Sequence, residues 1–245
     1  KLIEVSDIKA DLHTHTTDSD GKMSLQESAT IAKDRGFHTL AITDHSQSSA
    51  IANGLKPDRL RKQIKYIHEF NDSFDGLHIL AGSEVDILVD GTLDYDDDLL
   101  NALDIVVASP HAGLRAKPKQ ATKRLLKAIC HPSVHIIGHP TGRLIQRREG
   151  LTPDMDEIIA AAIEHDVALE INSHWLRLDL RDTHVRAAVD AGCKIAINCD
   201  VHASGDYDNL IFGVLTGQRG WLTAEQCVNA WDHDMLHAWL GSKRS

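Results

Sequence analysis

The sequence is poor in several features that define protein classes. It has 4% aromatic residues and four cysteines without paired spacing, which excludes a disulfide framework or a zinc ribbon. No apolar run reaches about 18 residues and no signal peptide opens the chain, so we expect a cytoplasmic protein with no membrane partner. The Gly-x-Ser-x-Gly elbow and the P-loop are also missing, which argues against a serine nucleophile and against a nucleoside-triphosphatase.

Positive charge is scarce as well. The 26 basic residues are outnumbered by 36 acidic ones, and the net charge of −10 argues against a broad nucleic-acid-binding surface. Two or three bound divalent cations would nevertheless reverse the local sign within one cleft. Histidine is abundant by contrast, with 16 scattered residues that form no terminal tag. Because imidazole is the commonest metal ligand, this excess indicates chemistry.

Apolar runs and amphipathic stretches alternate along the 245 residues. Seven short runs are typical of buried strands: 8–16, 39–45, 78–88, 105–111, 135–140, 168–174 and 194–202. Helical patterns lie between them at 24–35, 58–74, 119–130, 153–165 and 183–191, whereas 93–103 has no definite pattern. This alternation predicts an α/β fold, a TIM-like barrel of seven parallel strands. An open doubly wound sheet is the alternative.

Helix starts are marked in two places. Ser24 with Glu27 and Thr223 with Gln226 have the spacing of a capping box, in which each side chain bonds the other's backbone amide. Residues 223–240 are expected to add one or two helices after the last strand.

Every one of the seven runs carries metal-competent side chains at or near its C-terminal end, where β/α barrels assemble their active sites. His13 and His15 are two residues apart, so both point to the same side of a strand. Asp200 and His202 repeat that spacing. The nine candidate ligands are His13, His15, Asp20, His45, Glu84, His111, His139, Asp200 and His202. A lone histidine is more often structural, but seven polar strand ends in succession favour one shared site.

The remaining ten histidines are expected to be structural, with His174 left open because it lies near the sixth strand end. They are His38, His68, His78, His131, His135, His165, His174, His184, His233 and His237.

The ligand types narrow the choice of metal. Imidazole mixed with carboxylate, without thiolate, suits manganese, zinc or iron and disfavours calcium. Nine ligands are too many for one ion and fit two or three divalent ions. Glu84, with two oxygens and a central position in the sequence, is predicted to bridge them. A multinuclear site generates hydroxide near neutral pH and stabilises both oxygens of a displacement at phosphorus.

The series His-x-His, Ser-Asp-Gly, Thr-Asp-His, Gly-x-Glu, Ser-x-His, Gly-His-Pro and Asp-x-His resembles the polymerase and histidinol phosphatase (PHP) superfamily. The resemblance implies a distorted seven-stranded barrel with three metals. The first would be held by His13, His15, Glu84 and Asp200, the second by Glu84, His111 and His139, and the third by Asp20, His45 and His202. Asp20 replaces a nearby histidine of some members, which affects the metal preference of the third site.

Residues 2–8, 138–150, 175–181 and 219–221 are further similar to the C-terminal domain of bacterial family-X DNA polymerases. That likeness implies a manganese-dependent 3′→5′ exonuclease, with 3′-phosphatase action as a further activity, in which a metal-bridging hydroxide attacks phosphorus at DNA 3′ ends. Residues 1–245 would then be one PHP-type domain of a longer chain with an upstream polymerase domain. The alternative is a standalone phosphatase acting on a small phosphomonoester such as histidinol phosphate.

Other polar residues follow the strand ends. Arg143, Arg147 and Arg148 come directly after the fifth run and are expected to bind a substrate phosphate, since arginine pairs with phosphate through two hydrogen bonds. Asn172 is predicted to contact substrate or water. Asp44 is predicted to support a metal-bound histidine.

Two rival readings remain. Amidohydrolases also begin with His-x-His, but they typically bridge their metals with a lysine on strand four, and the fourth run ends in Ser-Pro-His without one. A degenerate barrel that only tethers a polymerase would have lost ligands, and every ligand position is filled here.

Overall fold

A computed structural model describes residues 1–243 of the chain. Its sheet has seven parallel strands whose spatial order follows the sequence. The strands are β1 (Ala10–Thr14), β2 (Thr39–Ile42), β3 (His78–Asp86), β4 (Ile105–Ser109), β5 (Ile136–Ile137), β6 (Ala168–Asn172) and β7 (Ile195–Asn198). Each falls within one of the seven predicted runs. The sequential order confirms the predicted barrel, because a doubly wound sheet reverses its strand order at a switch point.

The barrel closes through a short contact between its first and last strands. His15 N donates to Val201 O at 2.8 Å, and Val201 N donates to His13 O at 3.1 Å. At the opposite end the side chain of Asn229 joins the same two strands, since it accepts from Ile197 N and donates to Ala10 O. The barrel is therefore nearly closed, with one seam bridged partly by side chains.

Helices surround the strands. They are α1 (Leu25–Asp34), α2 (Pro57–Asn71), α3 (Asp97–Asn101), α4 (Pro118–Ile129), α5 (Met155–Glu164), α6 (Asp182–Ala191), α7 (Leu210–Arg219) and α8 (His233–Ser242). The predicted capping box of Ser24 and Glu27 does begin α1. The larger apolar core lies between helices and strands, and a smaller core fills the barrel, where α8 inserts Leu236, Trp239 and Leu240 beneath the strands. None of the helices in residues 1–243 combines the length and apolar character needed to cross a bilayer.

The C-terminal region departs from the prediction in two ways. Helix α7 was not expected, because Gly213 and Gly217 interrupt its pattern with residues that disfavour helices. Gly213 is required by packing, since a Cβ there would lie 2.0 Å from Ser173 Oγ. The prediction for Thr223 was wrong in detail. It precedes a short 3₁₀ turn, Ala224–Gln226, without capping it, and the Gln226 amide donates to Val189 O instead.

Candidate metal centre

The nine predicted ligands meet at the C-terminal rim of the barrel. His13 and Glu84 lie within strands, whereas His45, His111, His139 and Asp200 lie just beyond strand ends. Three groups of side chains bring their ligand atoms within 4.8 Å of one another: His15 with Asp20, His45 and His202; His13 with His15 and Asp200; and His45 with Glu84 and His111. The geometry thus shares His15 and His45 between groups, which the family-based assignment did not. The predicted ligand role of each residue stays a prediction.

Glu84 lies at the centre of this arrangement and is completely buried. Its Oε1 lies 2.9 Å from His139 Nε2 and 3.3 Å from both His13 Nε2 and His111 Nε2. Its Oε2 lies 2.9 Å from His45 Nδ1 and 3.5 Å from His15 Nε2. His139 joins the site through Glu84 and belongs to none of the three groups. Both carboxylate oxygens face imidazole nitrogens, as a bridging ligand requires.

Many of these close approaches lack the geometry of hydrogen bonds. Both oxygens of Glu84, both ring nitrogens of His15 and of His139, Nε2 of His13 and Nδ1 of His45 are buried without a hydrogen-bond partner. Buried polar atoms are almost always satisfied, because an unsatisfied group costs about 1–3 kcal/mol. Nitrogens and oxygens that face a common point satisfy this requirement by coordinating cations. The residues present therefore fit a cluster of divalent metal ions.

The electrostatics agree with this fit. Burial alone would raise the pKa of Glu84 and Asp200, but the surrounding histidines hold both well below their usual values. Burial alone would lower the pKa of His111 and His202, but Glu84 and Asp86 raise that of His111 to about 10, and Asp20 and Asp200 raise that of His202 to about 9. The rim therefore attracts positive charge strongly, as a divalent-cation site does.

Two carboxylates that the prediction missed hold the histidines in place. Glu170 Oε1 lies 2.8 Å from His13 Nδ1, and Glu170 Oε2 accepts from His139 N at 2.6 Å. Asp86 Oδ1 bonds His111 Nδ1. Such partners fix the ring orientation and the tautomer of metal-ligating histidines. The alternation rule could have found Asp86, which lies two residues after Glu84 on the same strand face.

Asp44 and Asn172 lie close to the site in supporting positions. The Asp44 carboxylate accepts hydrogen bonds from the Thr16 amide and hydroxyl, the Ser19 hydroxyl and the Gln63 amide, none of which is a histidine ring. It thereby holds the loop that carries Asp20. Asn172 is buried, and its Nδ2 donates to Asp200 Oδ2 at 2.9 Å, so it orients a candidate ligand.

The backbone at two candidate ligands adopts a conformation that side chains disfavour. His139 has φ 24° and Asp200 has φ 53°. A non-glycine residue in this region costs about 1–3 kcal/mol, and such residues cluster at functional sites. His139 and Asp200 follow the short strand β5 and strand β7, and these turns place His139 Nε2 2.9 Å from Glu84 Oε1 and Asp200 Oδ1 3.2 Å from His15 Nε2.

Arginines lie on the side of the rim formed by the loops after β5 and β6. Arg143 is half-buried and donates to Arg177 O at 2.8 Å and to Leu178 O, so it holds the β6–α6 loop. Arg148 donates to Gly142 O, and Arg147 is exposed. Arg177, which the prediction did not single out, places Nε 3.6 Å from Asp200 Oδ2.

Three cavities with shared walls connect these features. A cavity of about 470 Å³ is lined by six of the nine candidate ligands, and Arg177, Asp200 and His202 also line a second cavity of about 360 Å³. His174, left open by the prediction, lines that second cavity. Leu144 joins the second cavity to a third of about 660 Å³, whose charged residues are Arg143, Arg147, Arg148, Glu149 and Arg181. Residues shared by their walls thus link the three cavities into one track, which leads from the candidate metal ligands to a strongly basic groove despite the acidic overall charge.

Comparison with known proteins agrees with the motifs. The model of a family described as the PHP domain matches residues 11–174. The chain is 44% identical over 230 residues to the DNA polymerase/3′-5′ exonuclease PolX of Bacillus subtilis (strain 168), covering 94% of this chain and 40% of that protein. It is 31% identical over 209 residues to a protein of Shigella flexneri named Probable phosphatase YcdX, covering 79% of this chain and 78% of the relative. The chain thus spans less than half the length of PolX.

The fold has solved counterparts. The crystal structure of histidinol phosphate phosphatase (HISK) from Lactococcus lactis subsp. lactis, complexed with zinc, L-histidinol and phosphate, has a TM-score of 0.63 to this chain at 17% identity. The match covers 87% of this chain and 94% of that one. At this level of identity the likeness concerns the barrel alone.

Proposed function

This chain belongs to the PHP domain family, and from that premise we propose that it removes nucleotides from DNA 3′ ends by metal-dependent hydrolysis of phosphodiester bonds. The proposal includes a longer chain, in which this PHP domain works in the cytoplasm beside a polymerase domain. The name of the PolX relative, which includes a DNA polymerase, supports this part of the proposal. Phosphoesterase chemistry follows from the family. The choice of DNA needs separate support.

The observation that carries this choice is the basic track. A small phosphomonoester needs only the cavity that contains the metal-binding groups. The groove beyond it carries four arginines against one glutamate, at Arg143, Arg147, Arg148, Arg181 and Glu149. Several guanidinium groups that line one groove suit several successive phosphates. A strand whose 3′ end reaches Glu84 and whose upstream phosphates follow the arginines uses the whole track.

The candidate ligands define what the chain contributes to the chemistry. These residues would hold two or three divalent ions, which we propose to be manganese, and the ions would supply Lewis acidity and activate water near neutral pH. Glu170 keeps the proton of His13 on Nδ1, which leaves the Nε2 lone pair directed at Glu84 and Asp200. Asp86 does the same for His111. Asn172 fixes Asp200.

We assign three roles to the arginines. Arg177 is the guanidinium nearest the ligands, and we assign to it a non-bridging oxygen of the scissile phosphate. Arg147 and Arg148 bind upstream phosphates. Arg143 has two of its nitrogens occupied by carbonyls of the loop that carries Arg177, so it acts mainly by positioning that loop and retains one nitrogen for substrate.

The second candidate function is a phosphatase on a small phosphomonoester such as histidinol phosphate. The relative named Probable phosphatase YcdX favours it, because that match covers 78% of the relative's length. In this case the arginine groove would be a solvated surface, and its removal would leave catalysis unchanged.

A substrate comparison tests the proposal. The chain, supplied with Mn²⁺, is given a 5′-labelled single-stranded oligonucleotide and, separately, histidinol phosphate. We expect a ladder of strands shortened from the 3′ end. The kcat/KM for DNA should be at least about tenfold higher than that for histidinol phosphate, since each charge-assisted phosphate contact contributes about 1.5–3 kcal/mol. The variant Arg148→Ala should raise KM for DNA alone. Faster hydrolysis of histidinol phosphate, with no ladder, would overturn the proposal.

A further inference from the structure

One exposed apolar side chain lies at the edge of the cavity that the candidate metal ligands line. Ile51 lies in a 3₁₀ turn, Ala50–Ala52, between β2 and α2, and its side chain is completely exposed. It lines the same cavity as His45, Glu84 and Asp200. A single exposed isoleucine is ordinary elsewhere on a protein surface. Here it borders a cavity whose floor consists of histidines and carboxylates.

The loop that presents Ile51 is firmly anchored on both sides. Before the turn, Ser48 N donates to Asp94 Oδ2 at 2.6 Å, and the Ser49 hydroxyl donates to Asp86 Oδ2 at 3.0 Å. After it, Asn53 Nδ2 donates to Asp18 O at 3.0 Å. Asp86 also holds His111, so the position of Ile51 is tied to a candidate ligand. Side chains held on such supports keep a fixed geometry relative to the site.

The walls of the cavity differ in chemistry. Its apolar lining consists of Ala112 and of the turn Ala50–Ala52, which includes Ile51, whereas Arg177 is shared with the cavity that leads to the basic groove. A substrate that matches this arrangement has a phosphate in the middle, a flat apolar group on one side and further phosphates on the other. The last nucleotide of a DNA strand has this composition, because every base offers an apolar face for packing.

We propose that Ile51 packs against the base of the 3′-terminal nucleotide and thereby selects a nucleotide end over other phosphate esters, an inference that rests on the proposed exonuclease function. The scissile phosphate then lies beside Glu84, and the rest of the strand passes Arg177 toward Arg148. Ile51 does not reach the reacting atoms. It contributes to binding of the terminal nucleotide and not to the chemical step.

The test compares two DNA ends. One oligonucleotide has an ordinary 3′ nucleotide, and the other has the same sequence with an abasic 3′ residue, which keeps the sugar and phosphate but offers no base. With Mn²⁺, Ile51→Ala should raise KM for the ordinary end about fivefold, from the apolar area lost, with kcat unchanged. On the abasic end Ile51→Ala and the unaltered chain should have the same KM. Ile51→Trp should lower KM for the ordinary end only, because an aromatic ring stacks on a base.

Ile163→Ala is the matched control, since Ile163 is a partly exposed isoleucine on α5 outside the cavity. It should behave as the unaltered chain on both ends. Because Ile51 is fully exposed, its removal leaves no cavity in the core, and equal melting temperatures would confirm that the variants fold. An unchanged KM for Ile51→Ala on the ordinary end, or an equal rise on both ends, would overturn the contact with the base. Failure of the unaltered chain to shorten either strand would overturn the exonuclease and this inference together.

Discussion

Histidines cluster at both ends of the barrel, but the residues around the two clusters differ. At the C-terminal rim, six of them surround Glu84 and Asp200, and many of their nitrogens have no hydrogen-bond partner. At the opposite end His38, His78, His233 and His237 pack against one another, with ring centroids 4.1 Å apart for His233 and His237 and 4.6 Å apart for His78 and His237. His38 Nε2 donates to Trp231 O, and Thr39 Oγ1 lies 3.2 Å from His237 Nε2.

The contrast shows what distinguishes a metal centre from a histidine cluster. Within residues 1–243 the three groups of side chains able to hold an ion all lie at the rim. Carboxylates there draw positive charge and raise the pKa of His111 and His202. At the other end, burial and the neighbouring His233, His78 and His38 lower the pKa of His237 to about 4, and Asp104 opposes this. Interleaved anions, and not the number of imidazoles, make the rim a cation site.

The largest effect should come from removing the central anion. Glu84→Ala deletes the carboxylate that faces five ring nitrogens, and we expect Mn²⁺-supported hydrolysis to fall by more than about 100-fold, beyond the range seen for residues that support ligands indirectly. Initial rates on an oligonucleotide measure this. As a control, His233→Gln at the other end should keep activity within about twofold. Activity retained in Glu84→Ala would remove the distinction between the two ends.

A smaller loss is expected from Glu170→Gln. The amide keeps the shape of the side chain but removes the negative charge beside His13 Nδ1, so activity should fall about 10- to 100-fold with weaker metal binding. The Mn²⁺ concentration needed for half-maximal activity should rise in parallel. If Glu170→Gln and the unaltered chain had equal activity at every Mn²⁺ concentration, His13 would need no anionic partner.

Arg177 should have a more moderate effect. Arg177→Ala removes the guanidinium beside Asp200, and kcat/KM should fall about tenfold, the cost of one hydrogen bond to a charged group. Arg177→Lys should recover only part of the loss, because an ammonium group cannot make the paired contact. The metal content should not change. A fall in bound metal would mean that Arg177 supports Asp200 rather than the substrate.

The smallest effect concerns the opposite end and appears in stability rather than activity. His78 and His237 have lowered pKa values in the folded chain, so the unfolded chain binds more protons as the pH falls through about 6.5. Stability is therefore fully present above that pH and decreases as the pH falls toward 4. His68, Asp104 and His233 act on the same cluster. His237→Gln should flatten this decrease in melting temperature between pH 7 and pH 5, and an unchanged slope would contradict it.

Many of the candidate ligands at the rim could be predicted because each lies in a short motif at the end of its own strand. Each strand run ended in its own polar residue, and parallel strands place those ends together, so Glu84 and His139 could be associated across 55 positions of sequence by topology alone. Asp86 and Glu170 required knowledge of which ring each carboxylate contacts. Arg177 depends on the path of an irregular loop, which Arg143 holds through backbone carbonyls.

The C-terminal region was less predictable for a related reason. Helix α7 contains two glycines, a residue type that disfavours helices. The close packing of Gly213 against Ser173 Oγ could not be inferred from the sequence. The cluster of His38, His78, His233 and His237 likewise combines two strand starts with a helix from the end of the chain. Each of these four histidines was expected to be structural, but the sequence around them did not indicate that they contact one another.

Metal stoichiometry tests the difference between the two ends most directly. The chain is equilibrated with Mn²⁺, freed of unbound ion, and measured by elemental analysis beside Glu84→Ala and the double variant His233→Gln/His237→Gln. We expect two or three ions per unaltered chain, the same number for the double variant, and at most one for Glu84→Ala. Fewer than one ion in the unaltered chain, or loss of metal from the double variant alone, would contradict a metal centre at the C-terminal rim.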